Sequence, residues 1–407
     1  MARRSTLFSL SLTDLRTGLC ALVSAALAYV PLVYIPLVSA SQDFQLSDQC
    51  PPSFLRTDNN RCELRNLYQL YDSLGDRGVG GLKTALPTHR DGFSPQQIDL
   101  GRLLFFDPLL SADHSVACAS CHNPRKGFSD GRARSVGIDG QRGSRSAPSL
   151  WNSAFLNAFF WDARAHNLEE QALSPLFSAV EMGNNPQQLL ASLESVEAYP
   201  ELFKQAFPAR VHLDIEMVAT ALTAFQTSLI SLNSRYDQYA HGDAKALNTQ
   251  ELEGLNIFRS FVARCSQCHM PPLFTNQQIA VIGTPEPEGM PRDIGAGATF
   301  NSAKLRGGFK VPSLRNIAET APYMHSGRFA TLREVAAFYT GGRGHAVPEG
   351  EELLLHWHIS EPNLTDSELD RLVDFMRTLS DNSMQPVIPQ SVPSGLPTLY
   401  KQNLSQK

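Results

Sequence analysis

Two short stretches, VACASCH at residues 116–122 and RCSQCH at 264–269, constrain this chain more than anything else in its 407 residues. Both fit C-x-x-C-H, through Cys118, Cys121 and His122 and through Cys265, Cys268 and His269. In that spacing one helical turn sets two thiols to add to the vinyl groups of a porphyrin. The next residue then turns an imidazole toward the iron, which makes the motif the attachment pattern of c-type haem. A shared zinc site is the main rival, but the two pairs lie far apart in sequence. A thioredoxin-type pair would want an α/β context. The chain is therefore read as carrying two covalent haems, whose sixth positions decide between electron transfer and catalysis.

The N-terminus adds a compartment. MARR supplies positive charge, residues 19–38 are almost entirely apolar, and VSA at 38–40 is a small-residue cleavage pattern. Residues 1–40 are thus expected to be a signal peptide, with a retained membrane anchor as the alternative. Cys20 leaves with the leader. Cys50 and Cys62 are then left over, and in an oxidising compartment such as the periplasm they are expected to pair. A formal net charge of −5 argues against a nucleic-acid partner.

Residues 41–93 read as a polar, loop-rich N-terminal extension. Order begins at SPQQIDLGRLLFF, where Ser94, Pro95 and Gln97 make a helix start and Ile98, Leu103, Leu104 and Phe105 follow. The second motif has a similar preface. Asn248 and Glu251 form a cap pair, and Leu252, Leu255, Phe258 and Val262 keep helical spacing. Between them Ile215, Val218, Leu222, Phe225 and Leu229 mark one face of a long helix, and Thr365 with Glu368 opens another near the end. A helix leading into a cysteine motif occurs twice, and no run of alternating strands is visible. The expected fold is mainly α, with related domains at 94–245 and 246–380 and a loosely attached tail at 381–407.

From about Leu100 to Leu379 the chain resembles the bacterial di-haem cytochrome c peroxidase and MauG family. The resemblance rests on LGRLLFFDPLLS, CASCHNPRKGFSDGR, RSAPSLWN, FFWDARAHNLEEQALSPL, EMG and VPSLRNIAETAPYMHSGRFATLREVAAFYTGG. It implies two cytochrome c-like domains with their haems facing a shared interface, a calcium ion between them, and reaction with hydrogen peroxide at the N-terminal haem. It also implies that Trp161 lies between the haems as a relay. Gln171, Pro175 and Glu181 match the family's distal pocket, with Glu181 as the proton-transferring carboxylate that O–O cleavage needs.

Two positions depart from the peroxidases of that family. Where many carry a histidine that caps the catalytic iron until the other haem is reduced, this chain has Ile138, which cannot ligate. His114 and His166 are the conceivable substitutes, and both read better as surface or supporting residues. Where the peroxidases place a methionine ligand on the second haem, this chain has Tyr339, as MauG-type enzymes do, with Met324 as the alternative. An anionic phenolate favours the ferric state and a thioether the ferrous. The calcium ligands implied by the resemblance map to Thr320, Pro322 and Ser146, the last in place of an asparagine.

The leading expectation is an exported, MauG-like peroxidase that needs no reductive activation. Its electrons would come from a small cytochrome, a cupredoxin or a protein substrate. The competing expectations are a reductively activated cytochrome c peroxidase, a di-haem electron carrier and a redox sensor. Ala263 offers no surface aromatic before the second motif, so methylamine dehydrogenase maturation is not assumed.

Overall fold

The computed structural model describes residues 44–65, 86–342, 347 and 352–398; the leader, with Cys20, lies outside them. Among the described residues the chain is mainly helical, and its strands form two short antiparallel pairs. One joins β1 (Phe54–Arg56) to β2 (Cys62–Leu64), the other β3 (Ile279–Val281) to β4 (Gly308–Lys310).

Two helix pairs organise the molecule. Helix α1 (Pro95–Phe106) starts at the expected capping box, with Ser94 accepting from the Gln97 N–H and the Gln97 side chain accepting from the Ser94 N–H. Further along the chain come α2 (Cys118–Cys121), α3 (Leu168–Phe177), α4 (Pro186–Ser195) and α5 (Ala198–Ala206). Helix α6 (Ile215–Thr227), capped by Asp214, crosses α1 at Gly101. A Cβ there would stand 1.8 Å from the Ala221 carbonyl oxygen, so only glycine permits the approach. Phe105 and Phe225 meet beside the crossing with ring centroids 5.0 Å apart.

After α7 (Arg235–Ala240) the arrangement recurs. Helix α8 (Thr249–Phe258) opens on the Asn248/Glu251 box and α12 (Asp366–Arg377) on the Thr365/Glu368 box. They cross at Gly254, where a Cβ would lie 1.9 Å from the Arg371 carbonyl oxygen, and Phe258 meets Phe375 at 5.1 Å. Between these two lie α9 (Cys265–Cys268), α10 (Ala296–Thr299) and α11 (Leu332–Thr340). Burying each such large apolar side chain contributes about 1.5–3 kcal/mol, so the two aromatic crossings anchor two cores.

Some expectations need correction. Helix α8 stops at Phe258, and Val262 is exposed rather than on its apolar face. Leu229 lies beyond the end of α6, although it is buried as expected. The N-terminal extension is not merely a loop. Cys50 and Cys62 form the disulfide, and Phe54, Cys62 and Phe93 pack with Ile98, Phe155 and Ile230. The loosely attached tail is also overturned for residues 381–398. Val392 is buried in the N-terminal core, and the Ser394 hydroxyl donates to Asp107 at 2.6 Å. Pro and Ser made this segment look unstructured, but Val392, with Ile388 and Leu396 packed against the same core, and the Asp107 carboxylate dock it.

Candidate haem sites

Each cysteine motif forms a single helical turn. The His122 N–H donates to the Cys118 carbonyl and the His269 N–H to the Cys265 carbonyl, both at 2.9 Å. The rings are oriented in the same way. Nδ1 of His122 lies 3.0 Å from the Phe128 carbonyl oxygen, and Nδ1 of His269 lies 3.0 Å from that of Phe274. A carbonyl only accepts, so Nδ1 carries the proton and Nε2 keeps its lone pair for a metal. Phe128 and Phe274 both adopt left-handed backbone, at φ 60° and 55°, which turns their carbonyls back toward the imidazoles.

Each motif borders its own cavity, one of about 210 Å³ at His122 and one of about 250 Å³ at His269. The four thiols are not paired with each other. Burial pushes Cys118 and Cys265 up to about 12 and Cys121 up to about 11. The two cysteine pairs border separate cavities, so their four sulfurs are not gathered on one zinc ion. They do fit two porphyrins, each held by two thioethers and one imidazole.

Gln171, Pro175 and Glu181 all line the first cavity, with Arg164. Asn167 caps α3 and so sets the phase that brings Gln171 and Pro175 to this wall. Burial raises the Glu181 carboxyl above its ordinary value, and the Arg164 guanidinium opposes the rise. Trp161 lines both cavities, with its indole N–H donating to the Ser146 carbonyl at 2.9 Å. Tyr339 and Met324 both line the second cavity with His269.

Comparison with known proteins decides the family. Residues 95–245 match the family described as di-haem cytochrome c peroxidase. The methylamine utilization protein MauG of Methylorubrum extorquens is 34% identical over 299 residues, covering 73% of this chain and 82% of that protein. The cytochrome c551 peroxidase of Pseudomonas aeruginosa is 37% identical over 249 residues, covering 60% and 71%. A solved MauG-like protein associated with microbial copper homeostasis superposes with a TM-score of 0.68 at 32% identity, over 74% of this chain and 96% of that one. The chain belongs to the di-haem cytochrome c peroxidase and MauG family. It is a peroxidase-like oxidoreductase acting on peroxide, with the two c-type cytochrome domains of that family, which implies two haem c groups.

Within this di-haem scaffold the first cavity holds no second imidazole: among its lining residues His122 is the one histidine. His114 and His166 are exposed. Ile138 is buried against Gly183, where an added Cβ would stand 2.2 Å from the isoleucine Cδ1. The calcium residues Ser146, Thr320 and Pro322 all line the second cavity. The Ser146 hydroxyl donates to the Met324 carbonyl at 2.9 Å and the Thr320 hydroxyl to the Ile317 carbonyl at 3.2 Å. No carboxylate lies among that cavity's lining residues, so these side chains alone do not suit a hard divalent ion.

A signal that composition and motif reading passed over is an internal repeat, in which residues 146–175 and 310–339 correspond without a gap. PSLWN at 148–152 matches PSLRN at 312–316, and Asn152 and Asn316 are both left-handed, at φ 61° and 56°. The bridge Phe159–Ala165 answers Tyr323–Phe329, and the caps Asn167 and Thr331 occupy the same place. The two copies clasp each other. The Ser146 N–H donates to the His325 carbonyl and the Lys310 N–H to the Trp161 carbonyl, both at 2.7 Å. Lys310, in both cavity walls, and the exposed Trp357, whose ring packs on His358 at 3.6 Å, are the other residues that sequence reasoning missed.

Proposed function

We propose that this chain is an exported di-haem peroxidase of the MauG-like kind, which reacts with hydrogen peroxide at its N-terminal haem without prior reduction. The observation that carries the proposal is the first cavity. Its lining holds one imidazole, that of His122, together with Gln171, Pro175 and Glu181, with no second histidine and no methionine beyond Met182. Bound at each site, the haem supplies one-electron redox chemistry. Glu181 takes the proton from one peroxide oxygen and returns it to the other as the O–O bond breaks. Gln171 offers an amide to orient the peroxide, and Pro175 presents no ligating atom. With two electrons and two further protons the products are two waters.

Trp161, in both walls, connects the sites. Tyr339, held neutral by burial in the absence of iron, is the ligand we assign to the second. An external donor, a small cytochrome, a cupredoxin or an oxidisable protein side chain, meets the second site at Trp357. His358 links it to Cys268, whose thiol lies within 4.8 Å of the His358 and His356 ring nitrogens. Calcium, where it binds, is held through the Thr320 and Pro322 carbonyls and water. The Cys50–Cys62 disulfide supports a periplasmic location.

Fully ferric protein bearing both haems, mixed with stoichiometric peroxide in a stopped-flow spectrometer, tests this reading. A rapid spectral change without reductant is expected. A change that waits for one-electron reduction would mean a sixth ligand and a reductively activated enzyme, and no change in either state would mean an electron carrier.

A further inference from the structure

Lys310 lies in β4 at the wall shared by the two cavities, and it is only 9% exposed. The neighbouring charged groups are paired within the protein. Arg145 bonds Asp293 at 2.6 Å and Asp162 at 2.6 Å, and His325, stacked on Phe309, bonds Glu286 at 2.9 Å. Lys310 is different: among the described residues no carboxylate or carbonyl reaches its ammonium. Burial alone lowers its pKa, to about 8.

An interior cation with no partner costs several kcal/mol. The scaffold does not require one here, because the corresponding position in the first copy of the repeat is Ser146. The two cavities that Lys310 borders give a partner from outside the polypeptide access to it. Both cavities that Lys310 borders end in a haem-attachment motif, and haem brings carboxylate side chains with it. A second buried donor points the same way: Trp151, 3% exposed, lines the second cavity and its indole N–H has no acceptor.

We propose that Lys310 is the internal counter-ion for haem carboxylates where the two cavities meet, and so tunes the potentials of both haems together. The inference rests on haem occupying both cavities and not on the peroxide reaction. A fixed positive charge at that wall favours the reduced state of each iron. The arrangement gives the two sites a common electrostatic reference without a covalent link between them.

The test is spectroelectrochemical titration of the two-haem protein, with K310M, K310Q and K310R beside the wild type and haem content checked by the pyridine haemochrome. K310M and K310Q are expected to lower both midpoint potentials, and K310R to restore both toward wild type. K310Q keeps a polar side chain should the methionine impair maturation. Unchanged potentials in the neutral variants would overturn the proposal, and so would a shift confined to one haem. No peroxide enters the measurement, so failure of the peroxidase reading would leave this result standing.

Discussion

Replacing Glu181 by glutamine changes the proposed proton carrier and little else. The Glu181 carbonyl accepts from the Ile138 N–H at 2.9 Å, and its N–H donates to the Ser178 carbonyl at 3.0 Å. Both are backbone bonds, so the loop keeps its course, and glutamine keeps the side-chain volume. What is lost is the ability to take up and return a proton. General acid–base catalysis is worth about 10²–10⁴-fold, or about 2.7–5.4 kcal/mol of barrier. Gln171, the residue proposed to orient peroxide, remains, so the second-order rate constant should fall by about 10²-fold or more.

The pH profile separates this cause from a general disturbance. Glu181 must be ionised to accept the first proton. Burial holds its carboxyl above the ordinary 4.5, so the wild-type rate should decline as pH falls through that raised value, and the glutamine variant should show no such limb. Stopped-flow absorption on haem-replete protein, from pH 4.5 to 8, measures both. A variant that reacts at the wild-type rate, or retains the acid limb, would refute the role assigned to Glu181.

Trp161→Phe should leave the peroxide reaction at the first site intact and slow steady-state oxidation of a donor, read by comparing single-turnover and multiple-turnover kinetics. Tyr339→Phe should change the absorption and resonance Raman spectrum of the second haem, whereas Met324→Leu should not; the reverse pattern would assign the ligand to Met324. Arg315 and Asp237 form an ion pair at 2.5 Å with both side chains fully buried, so Arg315→Met, which removes the aspartate's charged partner and leaves it only neutral donors such as Ser234, should cost about 3–5 kcal/mol in denaturant unfolding. Deleting residues 386–407 removes Val392 from the core and the Ser394 bond from Asp107, and should destabilise the protein by at least about 2 kcal/mol.

The two Cys-x-x-Cys-His turns were legible because their spacing is that of one helical turn. The helix starts were legible because Ser94, Asn248 and Thr365 each have the side-chain acceptor that a capping box requires. Lys310 was not, since a single lysine after a Gly-Gly-Phe run reads as a solvated charge until its burial is known. The packed tail was hidden for a related reason. Val392, Ile388 and Leu396 are scattered among Pro and Ser without helical or strand spacing, and only the position of the N-terminal core makes them matter.

The repeat explains how one scaffold supports two unlike sites. From the caps Asn167 and Thr331 the same helix begins, and the same position along it is Pro175 in the first copy and Tyr339 in the second. Each lines the cavity of its own copy. A proline there brings neither a ligating side chain nor a free N–H, while a tyrosine brings an oxygen that can bind iron. In our reading the division of labour is set largely at that position. On the proposed function, the first haem is open to peroxide because its helix carries a proline at that position, and the second is closed for electron transfer because its helix carries a phenol there. Exchanging the two, Pro175→Tyr in one protein and Tyr339→Pro in another, should therefore alter the coordination of the haem beside each change and leave the other haem's spectrum as it was. If Pro175→Tyr left the first haem as reactive toward peroxide as before, coordination would have to be set by something other than this shared helix position.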